Sequence, residues 1–335
     1  MLFHPGILAL VSGSALVTLM MFYAVILGAK VISRWDFQSS SAYQLSLERK
    51  TYLISTIMNY VLGFQIIAGL LFIYTVDDIH RLFVGAMCAT GSLNANPVGW
   101  QALLSKITVC FAAGLWLVLN YLDQKAEDYP LVRIKYSLLM VLFPIIVLDL
   151  FLQFQYFVGL DPDIITSCCG SLFSDAGGSV AGSLAGLPVL PAMVIFYVTY
   201  ALVLIISLVS LFSKKAFLRY LLSAFAAAFF FVALAAVVSF ISMYIYELPT
   251  HHCPFDIMQR EYGFIGYPLY ISLFCGIFFS LLPGIFHPVT NSLLQPKEAH
   301  KLERWWTLIS IICLVIFVLL STFRIAASNL TYFSY

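Results

Sequence analysis

The sequence predicts an all-α polytopic membrane protein with eight transmembrane helices, and three observations carry that expectation. Of its 335 residues, 62% are hydrophobic and only 10% charged, whereas a soluble domain carries about 25% charged residues. The mean hydropathy is +0.97. The apolar residues also gather into eight long runs, and the basic residues alternate between the connections. A water-soluble fold of this length has no means of hiding so much apolar surface.

The runs lie at roughly 7–29, 52–75, 101–121, 136–158, 191–212, 221–245, 267–286 and 306–326. A span needs about 20 mainly apolar residues, because ~30 Å of hydrocarbon is crossed at 1.5 Å per residue. Continuous apolar runs without two-residue alternation favour helices over a barrel. The first run precedes the first basic residue, Lys30, and is long enough to span. It reads as a retained helix rather than a cleaved signal. Pro144, Pro268 and Pro283 lie within or beside spans, where they kink helices and widen the space between them.

Charge sets the orientation. The first, third, fifth and seventh connections carry Lys30, Arg34, Arg49 and Lys50; Lys125, Arg133 and Lys135; Lys214, Lys215 and Arg219; and Lys297, Lys301 and Arg304. The second, fourth and sixth hold only Arg81 and Arg260. Thirteen against two gives both termini outside under the positive-inside rule. The expected location is the bacterial inner membrane, with the even-numbered connections facing the periplasm. No connection reaches domain size, so residues 1–335 read as one integral membrane domain with no soluble domain. A net charge of +1 offers no field for nucleic acid.

The outward loops, 76–100, 159–190 and 246–266, each carry cysteine: Cys88 in GAMCATGSLNANPVGW, Cys168 and Cys169 in DIITSCCGSLF, and Cys253 in HHCPFD. Cys110, Cys275 and Cys313 fall inside spans, where cysteine packs as a small apolar residue. The loops are expected to form a Cys/His cap, for which three chemistries compete. In an oxidising compartment two disulfides would staple the loops, most simply with Cys88 on one cysteine of the pair and Cys253 on the other. Alternatively the pair relays a disulfide between Cys88 and Cys253, aided by His251 and His252. Third, the thiolates with His251, His252 and His80 make a soft N/S site for zinc, copper or an iron–sulfur centre. Asp77, Asp78 and Asp256 are then candidates to orient the imidazoles. The C-x-x-C-H pattern of a c-type haem is absent. Residues 172–190, rich in Gly, Ser and Ala, are expected to form a short helix at the outer face.

Lys106 and Asp149 lie inside spans, where a charge needs a partner. With Gln65 and Gln153 they define an expected polar pocket between spans 2, 3 and 4. Gln153 follows Asp149 by one helical turn and shares its face, whereas Gln155 points away. No phosphate-binding loop, metalloprotease or hydrolase motif is present. The expected function is therefore a membrane subunit of a larger assembly, in contact with lipid and other subunits, with a periplasm-facing Cys/His site for redox or metal-linked work. The rivals are a structural or transport subunit whose cysteines are only staples, and a free-standing thiol oxidoreductase.

Overall fold

The computed structural model describes residues 3–36, 41–125, 129–161, 163 and 186–330. Cys168, Cys169 and residues 172–185 of the expected surface helix lie outside the described residues. Within them the chain is all-helical, with no strand. Eight helices are long and apolar enough to cross a membrane, as an integral membrane protein requires.

The helices are α1 Pro5–Arg34, α2 Ala42–Asp78, the short α3 Ala89–Asn94, α4 Gly99–Lys125, α5 Val132–Val158, α6 Val189–Phe212, α7 Ala216–Ala236, α8 Ser242–Tyr246, α9 Gly266–Leu293 and α10 Pro296–Ala327. Their ends follow local chemistry. Proline opens α1 and α10 in the first turn, where its missing N–H loses no helical bond. Ser41 caps α2 by accepting the Gln44 N–H at 3.2 Å, satisfying one of the orphan donors of the first turn.

The chain divides into two compact units, Met1–Val84 with Ser92–Thr166, and Gly85–Gly91 with Ser167–Tyr335. In the first, α1 packs on α2, α2 on α4, α4 on α5 and α5 back on α1, a closed four-helix ring. Its core stripe, Val17, Met21, Ala24, Leu27 and Val31, recurs every three or four residues, as one buried helix face must. Trp116 and Tyr136 fill the centre, and the Trp116 indole donates to the Lys135 carbonyl at 3.1 Å.

The second unit repeats the pattern with α6, α7, α9 and α10. Phe196, Phe229 and Phe317 pack with ring centroids 5.6–6.5 Å apart, within the range favoured by aromatic pairs. Gly284 lets α9 approach α7 closely enough for its N–H to reach Ser223 Oγ at 3.0 Å. The same hydroxyl donates to the carbonyls of Ser280 and Leu281. Small-residue contacts of this kind let membrane helices pack backbone to backbone. Outward faces of the bundles are studded with exposed Leu, Ile, Val and Phe, such as Leu16, Phe151, Ile205 and Leu319, as contact with lipid demands.

Between α7 and α8 the helix widens into one π turn, Val237–Ile241. There the Ser242 N–H reaches back five residues to the Val237 carbonyl. Such turns loosen the ordinary carbonyl ladder and recur beside functional sites.

Candidate functional site

The site forms at one end of the second unit, from the segment before α3 and the α8–α9 connection. Two tyrosines fix that connection. Tyr246, at the end of α8, donates to the Cys253 carbonyl at 2.5 Å, and Tyr270 on α9 donates to the Pro254 carbonyl at 2.6 Å. Gln259 reaches the Met87 carbonyl at 2.6 Å, which ties the Cys88 segment to the same connection. Left-handed backbone at Glu247 (φ 56°) and Gly263 (φ 66°) turns the chain out of α8 and back toward α9. The Glu247 carboxylate accepts the Asn329 backbone N–H at 3.0 Å, anchoring the turn to the end of α10.

Inside this frame Cys88 Sγ and Cys253 Sγ lie 3.3 Å apart, and both residues are 0% exposed. An Asp256 carboxylate oxygen joins them, all three ligand atoms lying within 4.8 Å of one another. Cys253 Sγ accepts the Phe255 backbone N–H at 3.4 Å and has Thr90 Oγ1 at 3.3 Å. Asp256 is buried, with one oxygen 2.5 Å from His251 Nε2. Its other oxygen has no partner among the described residues. A buried carboxylate held by an imidazole on one oxygen and open on the other is arranged as a ligand arm.

His251 thus enters one step removed from the sulfurs, through Asp256, and the Tyr246 ring packs edge-on against it at 4.5 Å. His252 turns to the Val238 carbonyl at 3.0 Å, within the π turn, so that turn serves as its docking point. His80 belongs to the first unit, where its ring pairs with the Asp77 carbonyl of its own helix end. Of the four metal candidates read from the sequence, the structure brings Cys253 into the cluster directly and His251 through Asp256. Tyr262 borders the cluster, and its phenol is pushed above the usual range by burial and then by the negative charges of Asp256, Glu261 and Cys253.

The first unit holds the intramembrane group. Lys106 Nζ is 2.6 Å from Asp149 Oδ2. Gln65 donates to the same oxygen at 3.0 Å, and Ser105 donates to Oδ1 at 2.8 Å. Gln153 is 0% exposed, and its side-chain amide has no partner among the described residues. Cys110 packs one turn from Lys106, its thiol 3.8 Å from the Ile66 carbonyl.

Two further charged clusters escaped the sequence reading, which placed their basic members in loops. Lys135 pairs with Asp123 at 2.5 Å, and Asp123 also accepts the Leu131 N–H. In the second unit Arg219 pairs with Glu303 at 2.5 Å, and Glu303 takes His287 Nδ1 at 2.7 Å and Thr290 Oγ1 at 3.1 Å. The available signal was periodicity: His287 and Thr290 share one face of α9, and His300 and Glu303 share one face of α10.

No protein-family model, no curated protein and no solved structure matches this chain.

Proposed function

We propose that this protein is a membrane subunit whose outward face binds a soft metal ion at Cys88, Cys253 and Asp256, for redox or metal-linked work. The observation that carries the reading is the convergence of two buried sulfurs and one buried carboxylate oxygen within 4.8 Å. Two thiolates bound to one tetrahedral zinc at ~2.3 Å stand roughly 3.8 Å apart, a small adjustment from the 3.3 Å found here. Thiolate-rich sites select zinc, copper(I) or iron–sulfur centres over hard cations. Cys168 and Cys169 supply two more thiols by sequence, enough to complete a four-ligand set. In this reading the cysteine end faces the periplasm, as the basic residues on the opposite connections require. The other subunits of the assembly dock around the eight spans.

The 3.3 Å approach of the sulfurs also supports a second reading, thiol–disulfide exchange. Oxidation of the two thiols forms one S–S bond and delivers two electrons and two protons to an acceptor. The acceptor is an external disulfide or a quinone, since cysteine is missing from the inward connections.

Elemental analysis of the purified, unreduced protein, a visible spectrum and a free-thiol count separate these readings. The metal reading expects about one equivalent of zinc, copper or iron per site, lost in Cys88→Ser and Cys253→Ser. Disulfide-bonded outward cysteines without metal or chromophore would overturn it. In that event thiol exchange survives only if the bonds turn over with a redox partner, and otherwise the cysteines are structural staples.

A further inference from the structure

In the first unit an open groove of about 150 Å³ runs between α1 and α2. Tyr23, Ile26 and Lys30 line one wall, and Tyr43, Ser46 and Lys50 the other. Leu27 and Leu47, both buried, form its floor. No carboxylate lines the groove, and neither lysine has an ion-pair partner among the described residues. The groove therefore carries two uncompensated cations beside three hydroxyls. Arg34 adds a third cation nearby, its guanidinium 6.0 Å from the Tyr43 ring centroid.

The rest of the groove is apolar. Lys30 continues the face of Tyr23 and Ile26 on α1, and Leu19 extends that face by a further turn. Leu19, Tyr23 and Ile26 are 42–66% exposed. On α2 the face of Lys50 continues through Leu53 and Ile57, which are 59% and 39% exposed. A cationic, hydroxyl-rich head thus leads into an apolar track along the two helices.

We propose that this groove binds an anionic phospholipid, the phosphate resting on Lys30 and Lys50 and an acyl chain lying along Tyr23, Leu19, Leu53 and Ile57. Lysine supplies compact charge to phosphate, and its aliphatic stem lies along apolar surface while the ammonium stays at the interface. Tyrosine and serine hydroxyls bond the glycerol and phosphate oxygens. Basic pockets between transmembrane helices select acidic headgroups in this way. A soluble anion would match the lysines but would leave the apolar track uncovered. Each basic residue near an acidic lipid contributes on the order of a five-fold preference, so the pair confers roughly 25-fold.

The test is native mass spectrometry of the full chain in detergent with equal phosphatidylglycerol and phosphatidylcholine. The wild type should retain phosphatidylglycerol in preference. Lys30→Gln with Lys50→Gln should drop its retention about 25-fold, toward that of phosphatidylcholine, while Lys30→Arg with Lys50→Arg should keep it. Equal retention of the two lipids by the wild type overturns the proposal, independently of any variant. Undiminished phosphatidylglycerol in the double glutamine variant also overturns it. Displacement of the lipid by equimolar inorganic phosphate would mark a free-anion site and overturn the lipid assignment.

Discussion

Lys106 Nζ and Asp149 Oδ2 meet at 2.6 Å with both side chains no more than 2% exposed, and the carboxylate collects two further donors from Gln65 and Ser105. Three donors thus occupy both oxygens of one carboxylate inside the bundle. Removing one member strands the other charge in an apolar bundle, which costs about 3–5 kcal/mol. Lys106→Met and Asp149→Leu should each lower the thermal midpoint strongly in detergent. The double variant should recover most of the loss, because matched apolar replacement of a buried pair is often neutral. If activity vanishes in that stable double variant, the pair serves function and not merely helix packing.

Much of this was legible in the sequence because membranes enforce simple rules. Run length alone placed the eight helices, since 1.5 Å per residue against ~30 Å of hydrocarbon leaves little freedom. Lys106 and Asp149 stood out because a charge inside a span demands a partner. Lys135, Arg219 and Glu303 did not, because each lies near a helix end where solvation explains a charge equally well. Their burial at 1–3% depends on neighbouring helices, whereas helical spacing shows only which residues share a face. The same limit applies to Asp256: eleven carboxylates and imidazoles crowd the outward loops by sequence, and only the tyrosine-clamped turn selects the one that meets the sulfurs.

The Glu303 network is the second place where one substitution should be costly. Its carboxylate holds Arg219, His287 and Thr290 together across α7, α9 and α10. Glu303→Gln keeps the shape but removes the anion and leaves the Arg219 guanidinium uncompensated, a loss of about 3–5 kcal/mol. Thermal unfolding should show a large drop, with hydrogen exchange rising first where these three helices meet. An unchanged midpoint would mean that water reaches Arg219.

His252 and the π turn make a smaller, local prediction. The ring accepts its position from the Val238 carbonyl at 3.0 Å, a contact worth about 1 kcal/mol. His252→Ala should leave the global midpoint nearly unchanged while accelerating amide exchange over residues 237–246. Metal affinity at the cysteine cluster should hold. A collapse of metal binding in this variant would instead make His252 a ligand.

Tyr262 gives a titration with a defined sign. Its phenol is raised above the ordinary range first by burial, then by Asp256, Glu261 and Cys253. The folded state therefore keeps a proton that the unfolded chain releases near pH 10. Stability from this group is fully present below pH 10 and declines as pH rises through the folded value. Wild-type minus Tyr262→Phe difference spectra at phenolate wavelengths should show the missing tyrosine ionising later than free tyrosine. Ionisation at or below pH 10 would show that its ring faces open water.

At the cysteine cluster, ligand and orienting group can be told apart by substitution. An Asp256 carboxylate oxygen lies within 4.8 Å of both sulfurs, and its Oδ2 is 2.5 Å from His251 Nε2. If Asp256 is the ligand, Asp256→Asn removes an anionic donor and should abolish or drastically weaken metal binding. His251→Gln removes only the group that holds the carboxylate, so affinity should fall by about 10–100-fold while stoichiometry persists. Thiolate ligation releases protons on binding, so affinity in both the wild type and His251→Gln should decline as pH falls. Isothermal titration with zinc at several pH values reads affinity, stoichiometry and proton release together. Equal losses in the two variants would place His251 on the metal, and no loss in either would leave the two sulfurs to work without Asp256.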